Sequence, residues 1–586
     1  MCRTCMGPIF SDLRTIAPSI GRADFLAAAA ATAGALSVGL PERSFASAGG
    51  ADTIFTGGAI LPFAGSNRHQ EALAVAGGKV LAVGTKSAVY AHKTSATKIV
   101  NLDGRTMLPG FIDPHQHTLT GALVAAIFTD VGYTKYKTKQ QVAGAIEAQI
   151  AKQPAASWVY VYNFDNLLQG GDFSMEELDK IAPGNPVMVY YINMHTATGN
   201  SLAFKAAKIP ESVGTLPGGG HFGRDADGKL NGMIYEESAL KPFLVGVPKI
   251  TPQSAGKATV EWLRTNAAAG NTSVHEAGVL VFGDLLTGYE RVAAVSPCRA
   301  SISLMYDSMS AGDAYAQHGR GAQATQLPQT LLTLYAIKIV GDGSNQMLTG
   351  FQTQPYLNTE AKGQPNYDAA MLKTMVAAVK AKGWPVSIHC NGDATLDIAL
   401  DAVESVYGAN APTGVNRIEH CTITRPDQIA RMKKLGVQPS FLMNHIYFYG
   451  AAYRDQIFGP ARASRADAAA DCVKAGLPFT LHTDAPCSNI GTLQLVQTAV
   501  TRRCSVDNSI VGADQAITVG EALKAVTINA AGQIGMSKQL GTLEAGKYAD
   551  MTILDGNPHA VDPEKIMGIK VTETWVGGRQ AFSAGP

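Results

Sequence analysis

Six polar side chains along this 586-residue chain stand at the ends of short apolar runs and have the types that bind and activate through a metal ion: His115, His117, Lys338, His389, His420 and Asp484. The first two lie in Gly110-Phe111-Ile112-Asp113-Pro114-His115-Gln116-His117, an apolar run that closes on two imidazoles. Successive side chains of a strand alternate faces, so His115 and His117 point the same way, roughly 7 Å apart along the backbone. From one face both can reach a single ion at about 2.0 to 2.1 Å. Alone, His-x-His is as readily a satisfied or solvent-facing pair. The rest of the chain must supply its partners.

A recurring unit positions the other candidates: a helical pattern, a glycine, a β-rich run, then a polar residue. Thr259 to Arg264 precedes Gly270-Asn271-Thr272-Ser273-Val274-His275, and Met371 to Lys380 with Gly383 precedes Pro385-Val386-Ser387-Ile388-His389. Ile398 to Val406 leads to Arg417-Ile418-Glu419-His420, and Asp427 to Leu435 with Gly436 leads through Ser440-Phe441 to His445. Ala466 to Ala475 with Gly476 leads to Pro478-Phe479-Thr480-Leu481-His482-Thr483-Asp484. Strands alternating with helices predict a parallel sheet. Polar residues at so many strand ends fit a (β/α)₈ TIM-like barrel better than a doubly wound open sheet, because only closure brings them all to one place. The barrel region, 111–540, is longer than the ~250 residues usual for this architecture. Residues 160–255 and 343–368 are therefore expected to be large loops over the site.

Both ends of the chain read as β structure. Residues 52–110 alternate apolar runs with turns, and Gly77-Gly78 between two runs is a hairpin signal. Residues 541–586 repeat the style in Met551-Thr552-Ile553-Leu554 and Val571 to Val576. Neither part can bury a core alone, so the two termini are expected to build one small β-sandwich around the barrel. Lys plus Arg number 48 and Asp plus Glu 47, a net charge of +1, which gives no reason to expect nucleic acid as a partner. Of the eight cysteines only Cys2 and Cys5 form a CxxC pair, and with no second pair to match it neither a disulfide framework nor a zinc knuckle is legible. Residues 1–48 contain Arg22 followed by a small apolar run and Ser44-Phe45-Ala46-Ser47-Ala48, the anatomy of an export signal and too short and alanine-rich to anchor in a bilayer. No integral membrane segment is expected in the remainder, and a homo-oligomer is left open.

The ordered set of motifs resembles the amidohydrolase superfamily and, within it, the amidohydrolase 3 (YtcJ-like) family. The segments that carry the resemblance are Leu108 to His117, Ser273-Val274-His275-Glu276-Ala277-Gly278, His389-Cys390-Asn391-Gly392-Asp393-Ala394, Ile418-Glu419-His420-Cys421, His482-Thr483-Asp484-Ala485-Pro486 and Gly541 to Asp550. The resemblance implies a divalent metal, one or two zinc ions: His115, His117 and Asp484 on one, His389 and His420 on a second, and Lys338, carboxylated in many relatives, as the bridge. Lys338 also admits a plain buried lysine, which leaves a mononuclear site. Manganese and iron tolerate the same ligands. A bound metal lowers the pKa of its water to about 7 and polarises a carbonyl, and Asp484 is suited to carry the proton to the leaving group. The implied reaction is hydrolysis of a non-peptide carbon–nitrogen bond, an amide, N-formyl or N-acyl amine or cyclic amide, in a small-molecule substrate. Ester, lactone or carbamate hydrolysis and decarboxylation share the scaffold, and a non-catalytic binding protein is the remaining alternative. His195, His275, His445 and His482 are candidate substrate contacts. His445 precedes Ile446-Tyr447-Phe448-Tyr449, which suits an apolar group or lid packing. Cys390 and Cys421 follow presumed ligands and are turned away by strand alternation. Arg22-Ala23-Asp24-Phe25-Leu26 resembles a twin-arginine export signal with Ala23 where the second arginine belongs. A periplasmic protein is expected if the signal works, and a cytoplasmic one otherwise.

Overall fold

The computed structural model describes residues 50–64, 69–193, 196–216, 220–248, 250–281, 285–317, 332–408 and 414–585. They form two compact units, one of residues 119–259 with Leu285 and one of the remainder. The export-like segment falls outside the described residues. No helix among those described is long and apolar enough to cross a membrane.

The larger unit is built on eight parallel strands: β1 (Phe111–Gln116), β2 (Asn271–Val279), β3 (Arg299–Met305), β4 (Leu332–Val340), β5 (Val386–Cys390), β6 (Arg417–His420), β7 (Gln438–Phe441) and β8 (Thr480–Leu481). Each pairs with its neighbour in chain order. The sheet comes round on itself just beyond β8, where Asp484 N donates to His115 O at 3.0 Å and His117 N donates to Ala485 O at 2.7 Å. This is the barrel that the alternating pattern predicts. Register then fixes who shares a level: Lys338 stands opposite Met305 and Ser387, and His389 opposite Glu419.

The helices between strands follow from their own sequences. Ala369–Ala381 starts where the Asp368 side chain accepts from Met371 N, and it buries Leu372, Met375, Val376 and Val379, one stripe of a 3.6-residue period. Pro426–Leu435 and Ala469–Ala475 end on Gly436 (φ 67°) and Gly476 (φ 63°), left-handed positions that a side chain would strain.

Strands from both termini share one continuous eight-stranded sheet. Thr106–Pro109 pairs antiparallel with Met551–Leu554, Met107 opposite Ile553. The Gly77-Gly78 turn joins Gln70–Ala76 to Lys79–Gly84, with both glycines at positive φ, 57° and 77°, as a type I′ hairpin demands. Phe55, Leu73, Val75, Met107, Met551, Ile553 and Trp575 fill one core, and Ile54, Ala72 and Ala74, which alternate with strand neighbours of that set, pack with Val89 in another.

Residues 160–255 are not the loops that the sequence suggests. They fold with the preceding segment into a six-stranded sheet, ordered His221–Arg224, Leu230–Tyr235, Thr196–Gly199, Val187–Tyr191, Val159–Phe164, Thr129–Asp130. Its core holds Val142, Ile146, Val159, Val161, Phe164, Leu178, Val187 and Val189. Short apolar runs that cannot pair locally pair with each other, which gives the insertion a hydrophobic centre of its own.

Candidate metal centre

The C-terminal ends of β1, β5, β6 and β8 bring five of the six candidates together. The backbone turns sharply there: His420 and Asp484 have φ of 72° and 55°, a conformation that costs free energy for residues with a Cβ and recurs at functional sites. The turns aim neighbouring strand ends at one point. The His115 ring lies 5.4 Å from that of His117, 5.0 Å from His420 and 4.4 Å from His482, on which it stacks. The His389 and His420 rings are 4.5 Å apart.

Asp484 Oδ1 is 3.2 Å from His115 Nε2 and 3.1 Å from His117 Nε2. The tautomer of His115 is set from behind, since Nδ1 lies 2.6 Å from Glu419 Oε2 and donates to it, so Nε2 carries a bare lone pair. Burial, reinforced by the Lys338 charge, lowers the pKa of His115, and burial with His389 lowers that of His420 well below the ordinary value. Burial alone would raise the Asp484 carboxyl, yet the imidazoles around it hold it well below the carboxylate range. Lone pairs thus face a carboxylate in a largely buried site, and His115 Nε2, His420 Nδ1 and Asp484 Oδ1 have no hydrogen-bond partner. Buried polar atoms left in this state are costly. A divalent cation among them satisfies all three, and the donor set of imidazole and carboxylate fits one. Ligand atoms of His115, His420 and Asp484 lie within 4.8 Å of one another.

Lys338 is 1% exposed on β4, and its charge is felt at His115 and Glu419. His389 Nε2 sits 3.1 Å from both Gly343 O and Asn391 Nδ2. The other candidates separate sharply. His275 is fully tied, Nδ1 to Ser301 Oγ at 2.6 Å and Nε2 to Ser303 Oγ at 2.8 Å, so neither nitrogen is left for substrate or metal. His482 is its opposite, buried with neither nitrogen hydrogen-bonded. His445 lies beside Thr422 and Asp467. His195 falls outside the described residues. The Cys390 and Cys421 thiols are pushed well up by burial and stay protonated, unlike metal-binding thiolates.

Several residues of the centre are not evident in the sequence. Glu419 takes Ser387 Oγ at 2.5 Å as well as His115 and pairs with Arg417 at 3.0 Å; burial would raise its carboxyl, and Arg417 and His115 hold it well below the usual range. Asp342 accepts from Asn391 N, Gly392 N, Thr395 Oγ1 and Phe351 N at 2.8 to 3.0 Å, which fixes the loop after β5 on the segment after β4. Glu276 approaches His117 Nδ1 at 3.7 Å. The usable signal was the partner rule itself, that a ligating histidine needs an acceptor behind it.

A family model described as the amidohydrolase family matches residues 98–582. The N-substituted formamide deformylase of Arthrobacter pascens is 27% identical over 533 residues, 87% of this chain and 95% of that protein. The putative amidohydrolase YtcJ of Bacillus subtilis is 25% identical over 544 residues, 90% and 99%. Among solved structures, an uncharacterized metal-dependent hydrolase from Pyrococcus horikoshii superposes with a TM-score of 0.68 at 21% identity, over 87% of this chain and 99% of that one.

Proposed function

The chain belongs to the amidohydrolase family, and we propose that this metal-dependent hydrolase of non-peptide carbon–nitrogen bonds removes a formyl or other small acyl group from an N-substituted amine, with zinc as its ion. The observation that carries the reading is the cluster of unsatisfied lone pairs formed by His115 Nε2, His420 Nδ1 and Asp484 Oδ1, with His117 Nε2 beside that carboxylate at 3.1 Å. Full-length likeness to a formamide deformylase supports the substrate class.

His115, His117 and Asp484 would hold one ion, His389 and His420 a second, with Lys338 carboxylated between them. When bound, the metal would lower the pKa of its water to about 7 and polarise the substrate carbonyl. Glu419 keeps His115 in the tautomer that presents Nε2, and Arg417 keeps Glu419 ionised. The Asp484 carboxylate takes the proton of the attacking water and returns it to the leaving nitrogen, so that amine departs as the tetrahedral carbon collapses. Asp342 holds the loop that carries Asn391 beside His389, so that this imidazole keeps its place during turnover.

The test is a panel of N-benzylformamide, its acetamide, a matching ester and a carboxylic acid, run on zinc-loaded and chelated protein. Zinc-dependent release of benzylamine with the formamide fastest supports the proposal, and ester hydrolysis or decarboxylation without amide turnover overturns it. Metal content of Lys338→Ala addresses the bridge, since two ions retained would exclude that role. Export to the periplasm through the twin-arginine-like segment belongs to the same proposal. Fractionation checks it, and an uncleaved cytosolic product would contradict it.

A further inference from the structure

We propose that His445 is a substrate-contacting residue that accepts a hydrogen bond from the N–H of the scissile amide, held in the required tautomer by Asp467, so that the enzyme selects amides bearing hydrogen on nitrogen. The inference deepens the reading above and rests on it.

His445 lies in the helix Asn444–Ala452 that follows β7, at the end of the barrel where the metal centre is. Its ring is 6.4 Å from that of His420, which puts it beside the proposed ligands and within reach of a substrate held at them. Two groups face Nδ1. Thr422 Oγ1 lies 3.3 Å away, and that hydroxyl already spends its hydrogen on Asn391 Oδ1 at 2.8 Å, so it turns a lone pair to the imidazole. Asp467 Oδ1 lies 3.7 Å away. Burial raises the Asp467 carboxyl, and His445 and Arg502 oppose that rise; with Asp467 ionised both neighbours are acceptors, and Nδ1 carries the proton. That leaves Nε2 as a bare acceptor, and it makes no hydrogen bond among the described residues.

Asp467 is placed with unusual firmness for a residue outside regular structure. Its N donates to Thr422 O at 2.9 Å, and the Arg502 guanidinium grips Asp467 O at 3.2 Å and Ala466 O at 2.6 Å. Its φ is 51°, a left-handed conformation that such anchoring must maintain. The side chain is fully buried, and neither carboxylate oxygen has a hydrogen-bond partner. A carboxylate so oriented and so unsatisfied orders the one imidazole beside it, as acceptors behind functional histidines do. The buried Tyr453 ring lies 5.7 Å from that of His445. An imidazole Nε2 lone pair accepts from an amide N–H and has nothing to offer an N-methyl group. The same preference does not arise from the metal, which acts on the carbonyl.

The experiment compares N-benzylformamide with N-benzyl-N-methylformamide on zinc-loaded wild type, His445→Leu, His445→Gln and Asp467→Asn, with metal content measured for each. Wild type is expected to favour the N–H substrate at least tenfold in kcat/KM. His445→Leu loses on the order of 10- to 100-fold on that substrate, the scale of an unmade buried hydrogen bond, keeps its rate on the N-methyl substrate within threefold, and keeps its metal. His445→Gln, which retains an acceptor, recovers part of the preference, and Asp467→Asn falls between. A preference unchanged in His445→Leu, or an equal loss on both substrates, overturns the proposal. Nitrogen-15 histidine spectra of the wild type read the tautomer without turnover: His445 protonated on Nδ1 supports the dyad, and protonation on Nε2 overturns it. If wild type hydrolyses neither amide, the substrate reading fails, and the tautomer still decides the fate of the dyad.

Discussion

The two ends of the barrel bury charge in opposite ways. At the start of β3, Arg299 Nε and Nη2 reach Asp550 Oδ2 and Oδ1 at 2.7 and 3.0 Å. Gly577 N adds a third bond to that carboxylate at 2.7 Å, and the guanidinium lies 4.0 Å over the Tyr548 ring. Both oxygens of that carboxylate meet donors. At the other end, His115 Nε2, His420 Nδ1, Asp484 Oδ1 and both nitrogens of His482 meet none. The first end ties the terminal sheet to the barrel; the second keeps its bonding capacity for something that is not protein. Stability resides at the N-terminal face of such barrels and chemistry at the C-terminal face, and here the satisfaction of buried polar atoms separates the two. His275 and His482 repeat the contrast within one interior, the same side chain fully tied in one place and fully untied in the other.

The contrast breaks most visibly at Asp484. Asp484→Asn should keep at least one metal ion yet lose turnover by on the order of 10³-fold, the span of a positioned acid–base group, and a near-normal kcat measured on formamide would refute the assignment. At the opposite end, Arg299→Ala should leave metal content and kcat intact while costing about 3 to 5 kcal/mol in denaturant unfolding, the penalty of a buried carboxylate without its partner. A loss of activity with unchanged stability there would reverse the division of labour. Glu419→Gln is expected to weaken metal affinity by roughly 10- to 100-fold, as removal of a ligand's supporting acceptor does, read by competition with a chromophoric chelator. The smallest effect concerns protons. Burial, then His389, lowers the His420 pKa, and burial, then His115, lowers that of His482, both well below 6.5. The unfolded chain therefore binds more protons than the folded one below that value, so stability is full above pH 6.5 and falls as pH drops beneath it. The melting temperature of chelated protein should be several degrees lower at about pH 5.5 than at about pH 7.5, and His482→Gln should shrink the difference.

Much of the centre was legible because its spacing follows from backbone geometry. His115 and His117 share a face through the two-residue period of a strand, and the helix–glycine–strand units placed His389, His420 and Asp484 at strand ends. Glu419 was hidden by the same rule. It adjoins His420 in sequence, and alternation would send one of the two away from the site. Positive φ at His420 breaks the alternation and lets both serve, Glu419 behind His115 and His420 in front. Residues 160–255 were misread as loops because a short apolar run announces a strand without naming its partner, and their partners lie within the same insertion.

What the sequence determined by itself is the architecture and the ligand types. Periodicity and turn residues act locally, and they dictate alternating strands and helices whose polar ends must converge once the sheet closes. Only the tertiary structure decided which of those polar ends are spent. Whether a histidine is a wall residue like His275 or an open donor like His115 depends on hydroxyls and carboxylates brought in from strands up to some three hundred residues away, and hydrogen bonds of a few ångströms leave no mark on the spacing of residues along the chain.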